Sequence, residues 1–114
     1  KKKNKYPWGD YYKTGFTSNI ENADYLLLPV DFQNTKDISP YGVIFMAGNA
    51  AEWTKSRAAD IETHNDAKSP NDYICKGGSI FDVPENCAVF YNYFSNGAAQ
   101  TGISFRCVKR LNYE

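Results

Sequence analysis

The stretch Met46-Ala47-Gly48-Asn49-Ala50-Ala51-Glu52-Trp53-Thr54 decides how the rest of this chain is read. Gly48 marks a place where the backbone needs positive φ or a close neighbour, and Trp53 is a large anchor of the kind a loop-rich core needs. Glu52 lies inside an apolar phrase, where a lone carboxylate is costly unless it is hydrogen-bonded, paired with an arginine or bound to a cation. Far downstream, Arg106 beside Phe105 reads as a structural arginine with a buried stem, and a salt bridge to Glu52 is one solution. Composition from residue 50 to residue 59 tolerates a turn or two of helix, although Trp53-Thr54 weakens that reading.

Outward from this stretch, short apolar runs alternate with Gly, Pro, Asn and Asp. Residues 25–30 and Tyr73–Lys76 are β-prone, and Val43-Ile44 follows the turn chemistry of Ser39-Pro40-Tyr41-Gly42. Residues 55–72 are polar, end in Pro70-Asn71-Asp72 and read as a long surface loop. Gly77-Gly78, an aromatic-rich run over residues 81–94 and a last strand over 103–108 complete the pattern. The expected class is α+β, loop-rich, with a small irregular antiparallel sheet.

Composition narrows the function. At 114 residues there is room for one domain, and 42% hydrophobic with 16% aromatic residues is enough to bury a core. Thirteen Lys and Arg balance thirteen Asp and Glu, so no electrostatic footprint for nucleic acid exists. The longest uncharged apolar run, residues 43–51, is too short to span a bilayer, which excludes direct membrane insertion. Cys75, Cys87 and Cys107 form no Cys-x-x-Cys pair, and His64 is the single histidine, too few ligands for structural zinc. Residues 1–5, Lys1-Lys2-Lys3-Asn4-Lys5, read as a solvated tail and lack the apolar stretch of a signal peptide.

Taken in order, Tyr6-Pro7-Trp8-Gly9-Asp10, Leu28-Pro29-Val30, Ser39-Pro40-Tyr41-Gly42-Val43, the stretch quoted at the outset, Lys76-Gly77-Gly78-Ser79 and Ser104-Phe105-Arg106-Cys107-Val108 resemble the C-terminal half of the sulfatase-modifying-factor family, that of the formylglycine-generating enzymes. The resemblance implies a C-type-lectin-like fold over residues 6–114, with the N-terminal half of the domain missing and therefore a partner of this chain. It also implies a chemistry to look for. In that family two cysteines five positions apart, after the Gly-Gly-Ser phrase, hold copper and activate oxygen. Cys87 matches the first place and Asn92 the second, so the thiolate pair is broken, and one thiolate does not make a two-coordinate copper site. The family's iron-dependent branch uses histidines that His64 alone does not supply. The family's calcium loop maps onto Gly48, Ala50 and Glu52, with Phe45 where an upstream oxygen ligand is expected; calcium wants six to eight oxygens, so no cofactor is expected beyond a candidate calcium ion.

The richest stretch is residues 80–99. Phe81, Phe90, Tyr91, Tyr93 and Phe94 are too closely spaced for one strand face to bury them all, so some face outward; alternation sets Tyr91 and Tyr93 on one face and Phe90 and Phe94 mostly on the other, and the tyrosines are the expected outward pair because their hydroxyls can stay wet. Aromatics interleaved with Asn, Ser and Gly have the composition of a paratope. The stretch also resembles the variable region of diversity-generating retroelement proteins, where randomised asparagine codons never yield Lys, Glu, Gln, Met or Trp; residues 80–83 and 90–99 contain none of these. The expected function is a non-catalytic module at the cell exterior. It would bind a protein or glycan through Phe81, Asp82, Phe90, Tyr91, Tyr93, Phe94, Ser95 and Asn96. A sulfatase-modifying oxidase and a sensor domain of a larger kinase or receptor are the alternatives.

Overall fold

Trp53-Thr54, aromatic and β-branched, favour an extended backbone, and in the computed structural model they sit in the longest strand, β1 (Ala51–Arg57). Here the expected helical turn gives way to a strand, because across from it lies β2 (Tyr73–Lys76), which offers both a hydrogen-bonding edge and the buried side chains Ile74 and Cys75. The structure describes residues 3–24, 26–61 and 66–112; Tyr25 and His64 fall outside them. β1 and β2 run antiparallel, pairing Glu52 with Lys76, Trp53 with Cys75 and Arg57 with Tyr73 across an irregular middle. The Thr54 hydroxyl donates to the Ile74 carbonyl at 2.8 Å, and the Arg57 guanidinium lies 3.6 Å from the Tyr73 ring centroid. Beyond β1 the chain makes a 3-10 turn (Ala58–Asp60), so the loop expected over residues 55–72 begins only after these elements.

β3 (Tyr93–Ser95) pairs antiparallel with the other side of β2, matching Tyr73 with Ser95, Ile74 with Phe94 and Cys75 with Tyr93. β4 (Ile103–Ser104) pairs with β1, and this pairing is parallel. The strand order is β3-β2-β1-β4, so the sheet is mixed rather than antiparallel. The reason is topological: the chain leaves β3 at one edge and crosses to the opposite edge, entering β4 in the direction of β1, which no hairpin does. The strand expected over residues 103–108 stops at Ser104. Among the described residues there is no α-helix, only the first 3-10 turn and a second (Pro84–Cys87), so the helical part of the expected α+β class is reduced to those turns. No described helix is long and apolar enough to cross a membrane.

Residues 26–30 are not a strand either. Their backbone is held by a side chain: the Asn49 amide accepts from Leu28 N–H at 2.8 Å and donates to the Leu28 carbonyl at 3.2 Å, imitating a strand partner from a single residue. Val43-Ile44 contributes only one bridge, between Ile38 and Ile44.

The core is small and lies where the N-terminal aromatics meet the second 3-10 turn. Tyr6, nearly inaccessible, stacks on Trp8 with ring centroids 5.1 Å apart and donates its hydroxyl to the Pro84 carbonyl at 3.2 Å. Val89 N–H donates to the Lys5 carbonyl, which ties the last residue of the expected tail to the second 3-10 turn's exit. Gly78 has φ +69°, and a Cβ there would stand 2.8 Å from Cys87 Sγ, which explains why the Gly-Gly phrase precedes a buried cysteine.

Candidate functional site

The start of β2 and the end of β3 lie side by side, and the segments that flank them form the walls of a cavity of about 590 Å³. One wall is the segment before β2. Asp72, 7% exposed, closes a turn there by accepting the backbone N–H groups of Lys68 and Ser69 at 3.0 and 3.2 Å. The other wall is the run Tyr91-Asn92-Tyr93-Phe94-Ser95-Asn96, with Gln100 beyond it. Five of the residues expected to bind a ligand, Tyr91, Tyr93, Phe94, Ser95 and Asn96, therefore share one groove.

The groove's polar groups differ in how they are engaged. Tyr93 donates its hydroxyl to Gln100 at 3.2 Å, and Asn92 accepts from Lys76 Nζ at 2.8 Å. Asn96 accepts the Ala98 N–H. Ser95 is 4% exposed and its hydroxyl has no hydrogen-bond partner among the described residues. Burial raises the Tyr91 phenol above its usual range and lowers the Lys76 ammonium below its own.

Phe81 and Asp82 line a second hollow of about 120 Å³, which shares Tyr93 and Gln100 with the groove. The Asp82 carboxylate is already engaged, accepting from Ser79 N–H at 2.7 Å and from its hydroxyl at 3.0 Å. Phe90 lines neither cavity and is 65% exposed. Phe81 is exposed as well, and over residues 90–94 the outward pair is Phe90 and Tyr93, not the two tyrosines, with Tyr91 and Phe94 half-buried. Strict alternation fails because β3 starts only at Tyr93; before it, Tyr91 N–H bonds back to the Ala88 carbonyl in a turn.

Cys87 is fully buried, and burial, with the Asp82 carboxylate adding to it, pushes its thiol up to about 12. The group five positions before it, Asp82, is one of three carboxylates, with Asp37 and Glu85, whose charge bears on it; Asn92, five positions after, is turned to Lys76. Neither is a thiol. Cys75 is also buried and pushed up to about 11, and all three cysteines are free.

Glu52 has the arginine partner that the sequence allows. Arg106 Nη2 lies 3.2 Å from Glu52 Oε1 and donates to the carbonyls of Ile44 and Phe45 at 2.7 and 2.6 Å. Burial still raises the Glu52 carboxyl to about 7, Arg106 opposing it. This guanidinium takes a carboxylate and two carbonyls, the donor set a hard cation would use. Among the described residues no three His, Cys, Asp or Glu side chains converge to hold a metal. Of the calcium candidates Gly48, Ala50 and Glu52, Glu52 alone carries a carboxylate, and Arg106 pairs with it; Phe45, at the upstream position, offers a carbonyl that Arg106 also takes.

Two buried groups escaped the sequence reading. Asp37 is fully buried, accepts the Ala47 N–H at 2.9 Å and meets the Thr17 hydroxyl, while its other oxygen has no partner among the described residues; burial raises it to about 6. Asn49, at φ +62°, links Leu28, Ser18 and Ile80. Its place after Gly48 was the available signal, since Asn is one of the few residues that tolerate the left-handed region.

A family model, the sulfatase-modifying factor enzyme 1-like domain, matches residues 1–111. No curated protein matches the chain.

Proposed function

We propose, from the premise that the chain belongs to the sulfatase-modifying factor enzyme 1-like domain family, that it is a non-catalytic member which binds a ligand in the groove between the segment before β2 and the run from Tyr91 to Asn96. The observation that carries this reading is the groove itself. It has about 590 Å³ of volume, within the range of small-ligand sites, with aromatic walls and, in its lining, Ser95, whose buried hydroxyl has no partner among the described residues.

The chemistry around Cys87 supports the same reading. A thiolate is the form that binds copper, and a thiol raised to about 12 is protonated at neutral pH. With Asp82 and Asn92 at five positions on either side, no second thiolate completes a linear site. A diversified surface fits the exposure pattern over residues 87–96, since Phe90, Tyr93 and Asn96 are exposed while the neighbouring Cys87 and Ala88 are buried.

Two measurements test the proposal. Titration with Cu(I) against a competing chelator, together with incubation of a cysteine-containing sulfatase-type peptide, is expected to give neither stoichiometric tight binding nor an aldehyde. A peptide selected on the protein from a display library, or a glycan from an array, should lose at least about 30-fold in affinity on Tyr93→Ala, the effect of removing a central anchor of about 2 kcal/mol. Aldehyde formation, or binding indifferent to every groove substitution, would overturn the proposal.

A further inference from the structure

The groove's chemistry identifies a class of ligand, and the argument rests on the ligand-binding reading above. The groove combines two kinds of surface. Tyr91, Tyr93 and Phe94 supply rings, whereas Asp72, Asn96 and Gln100 supply planar groups that accept or donate hydrogen bonds. Asp66 and Lys68 add one charge of each sign, so with Asp72 the lining carries no strong field for an anionic ligand. A ligand suited to such a site is itself two-faced and uncharged, with apolar C–H surface for the rings and a rim of groups that both donate and accept.

The Ser95 hydroxyl sharpens this. Ser95 lines the groove and is 4% exposed, and its hydroxyl, itself closed to solvent, has no hydrogen-bond partner among the described residues. A buried hydroxyl without a partner is unfavourable, and a ligand hydroxyl reaching the same place satisfies it. Asp72 contributes in the same direction: one of its carboxylate oxygens is held by Lys68 and Ser69 N–H groups, which fixes the orientation of the whole group beside the cavity. Tyr93 is fixed too, by its bond to Gln100. These groups are positioned before any ligand arrives, so little ordering is needed on binding.

An extended peptide would use a different feature, an open strand edge. β3 is an edge strand, but at three residues it offers too short a ladder to hold one. We propose that the groove binds a neutral saccharide, its ring laid against the aromatic wall formed by Tyr91 and Tyr93 and its hydroxyls turned to Asp72 and Ser95. The volume of about 590 Å³ admits one or two sugar rings.

The test titrates the protein with glucose, galactose, mannose, N-acetylglucosamine, cellobiose and lactose, following backbone amide signals by NMR. At least one sugar should saturate in the millimolar range while moving the amides of Asp72, Ser95 and Asn96. Its affinity should fall at least about fivefold in Ser95→Ala and in Tyr93→Ala, and a deoxy analogue lacking the seated hydroxyl should bind Ser95→Ala and wild type alike. Asn96→Ala, an exposed change, serves as a second groove variant should Ser95→Ala alter folding. If no sugar moves these amides but a selected peptide binds with dependence on Tyr93, the saccharide assignment is wrong and the ligand-binding reading stands. If neither class of probe binds in a way that groove substitutions affect, both are wrong.

Discussion

Replacing Arg106 by alanine removes a cation from three acceptors at once, and the loss should depend on pH. In the wild-type protein Arg106 Nη2 faces Glu52 at 3.2 Å and the Ile44 and Phe45 carbonyls at 2.7 and 2.6 Å. At pH 5 Glu52, whose carboxyl is raised to about 7, is protonated in the folded protein, so the variant loses little more than two charge-assisted hydrogen bonds. Arg106 is 36% exposed and water replaces part of what it gives, so about 1–1.5 kcal/mol is the expected cost. At pH 8.5 the wild-type carboxylate is ionised and paired. Without Arg106, whose charge lowers the Glu52 pKa, that pKa moves further up, and each unit adds about 1.4 kcal/mol to the difference between the two proteins. Urea unfolding of both proteins at the two pH values should show a loss of about 1–1.5 kcal/mol at pH 5 growing to about 2.5–3 at pH 8.5. Equal losses at the two pH values would refute the argument, because they would mean that the guanidinium does not act on Glu52. Arg106→Lys should recover only part of the stability, since a single ammonium lacks the planar fork.

Asp37 makes a second pH prediction. Its carboxyl is raised from 3.8 to about 6, so the folded state holds the proton more tightly than the unfolded chain; the stability it contributes is full below about pH 4 and is lost as pH rises through about 6. The change should be on the order of 3 kcal/mol, and Asp37→Asn should flatten the stability curve across that window. Gly78→Ala combines a left-handed φ with a Cβ 2.8 Å from Cys87 Sγ and should cost about 3 kcal/mol, read as a lower urea midpoint with unchanged slope. Asn49→Ala removes both side-chain bonds to Leu28 and should cost about 2 kcal/mol, while making residues 26–30 the first site of cleavage in limited proteolysis.

What the sequence made legible were features that act locally or admit one solution. Gly77-Gly78 signalled close approach, and Gly78 does face Cys87. Glu52 inside an apolar phrase demanded a partner, and Arg106 supplies it from 54 positions away. The sheet was less legible because pairing is not a local property. Residues 50–59 tolerate a helical turn until β2 offers its edge, and residues 26–30 have strand composition but are held by the Asn49 side chain instead. The parallel placement of β4 depends on a crossing that no dipeptide encodes. The groove was half visible: its aromatic wall is one continuous run of sequence, whereas Asp72 and Lys68 reach it from a polar loop whose only sign was a turn at Pro70-Asn71-Asp72. Ser95 looked like any small residue in a paratope-like stretch until pairing with Tyr73 buried it.

The placement of β3 at the margin of the sheet has a consequence for how this protein can change over generations. Cys75 and Ile74, the buried residues opposite Tyr93 and Phe94, belong to β2, and the second 3-10 turn buries its own Pro84 and Cys87 and is tied to buried Tyr6 through the Pro84 carbonyl. The positions most open to solvent along this margin, Phe90, Tyr93 and Asn96, contribute little to that interior. Substitutions at such positions typically alter stability by no more than about 0.5 kcal/mol. Side chains there can therefore change while the body beneath keeps its shape, so the chemistry of this margin and the stability of the fold are nearly separate traits.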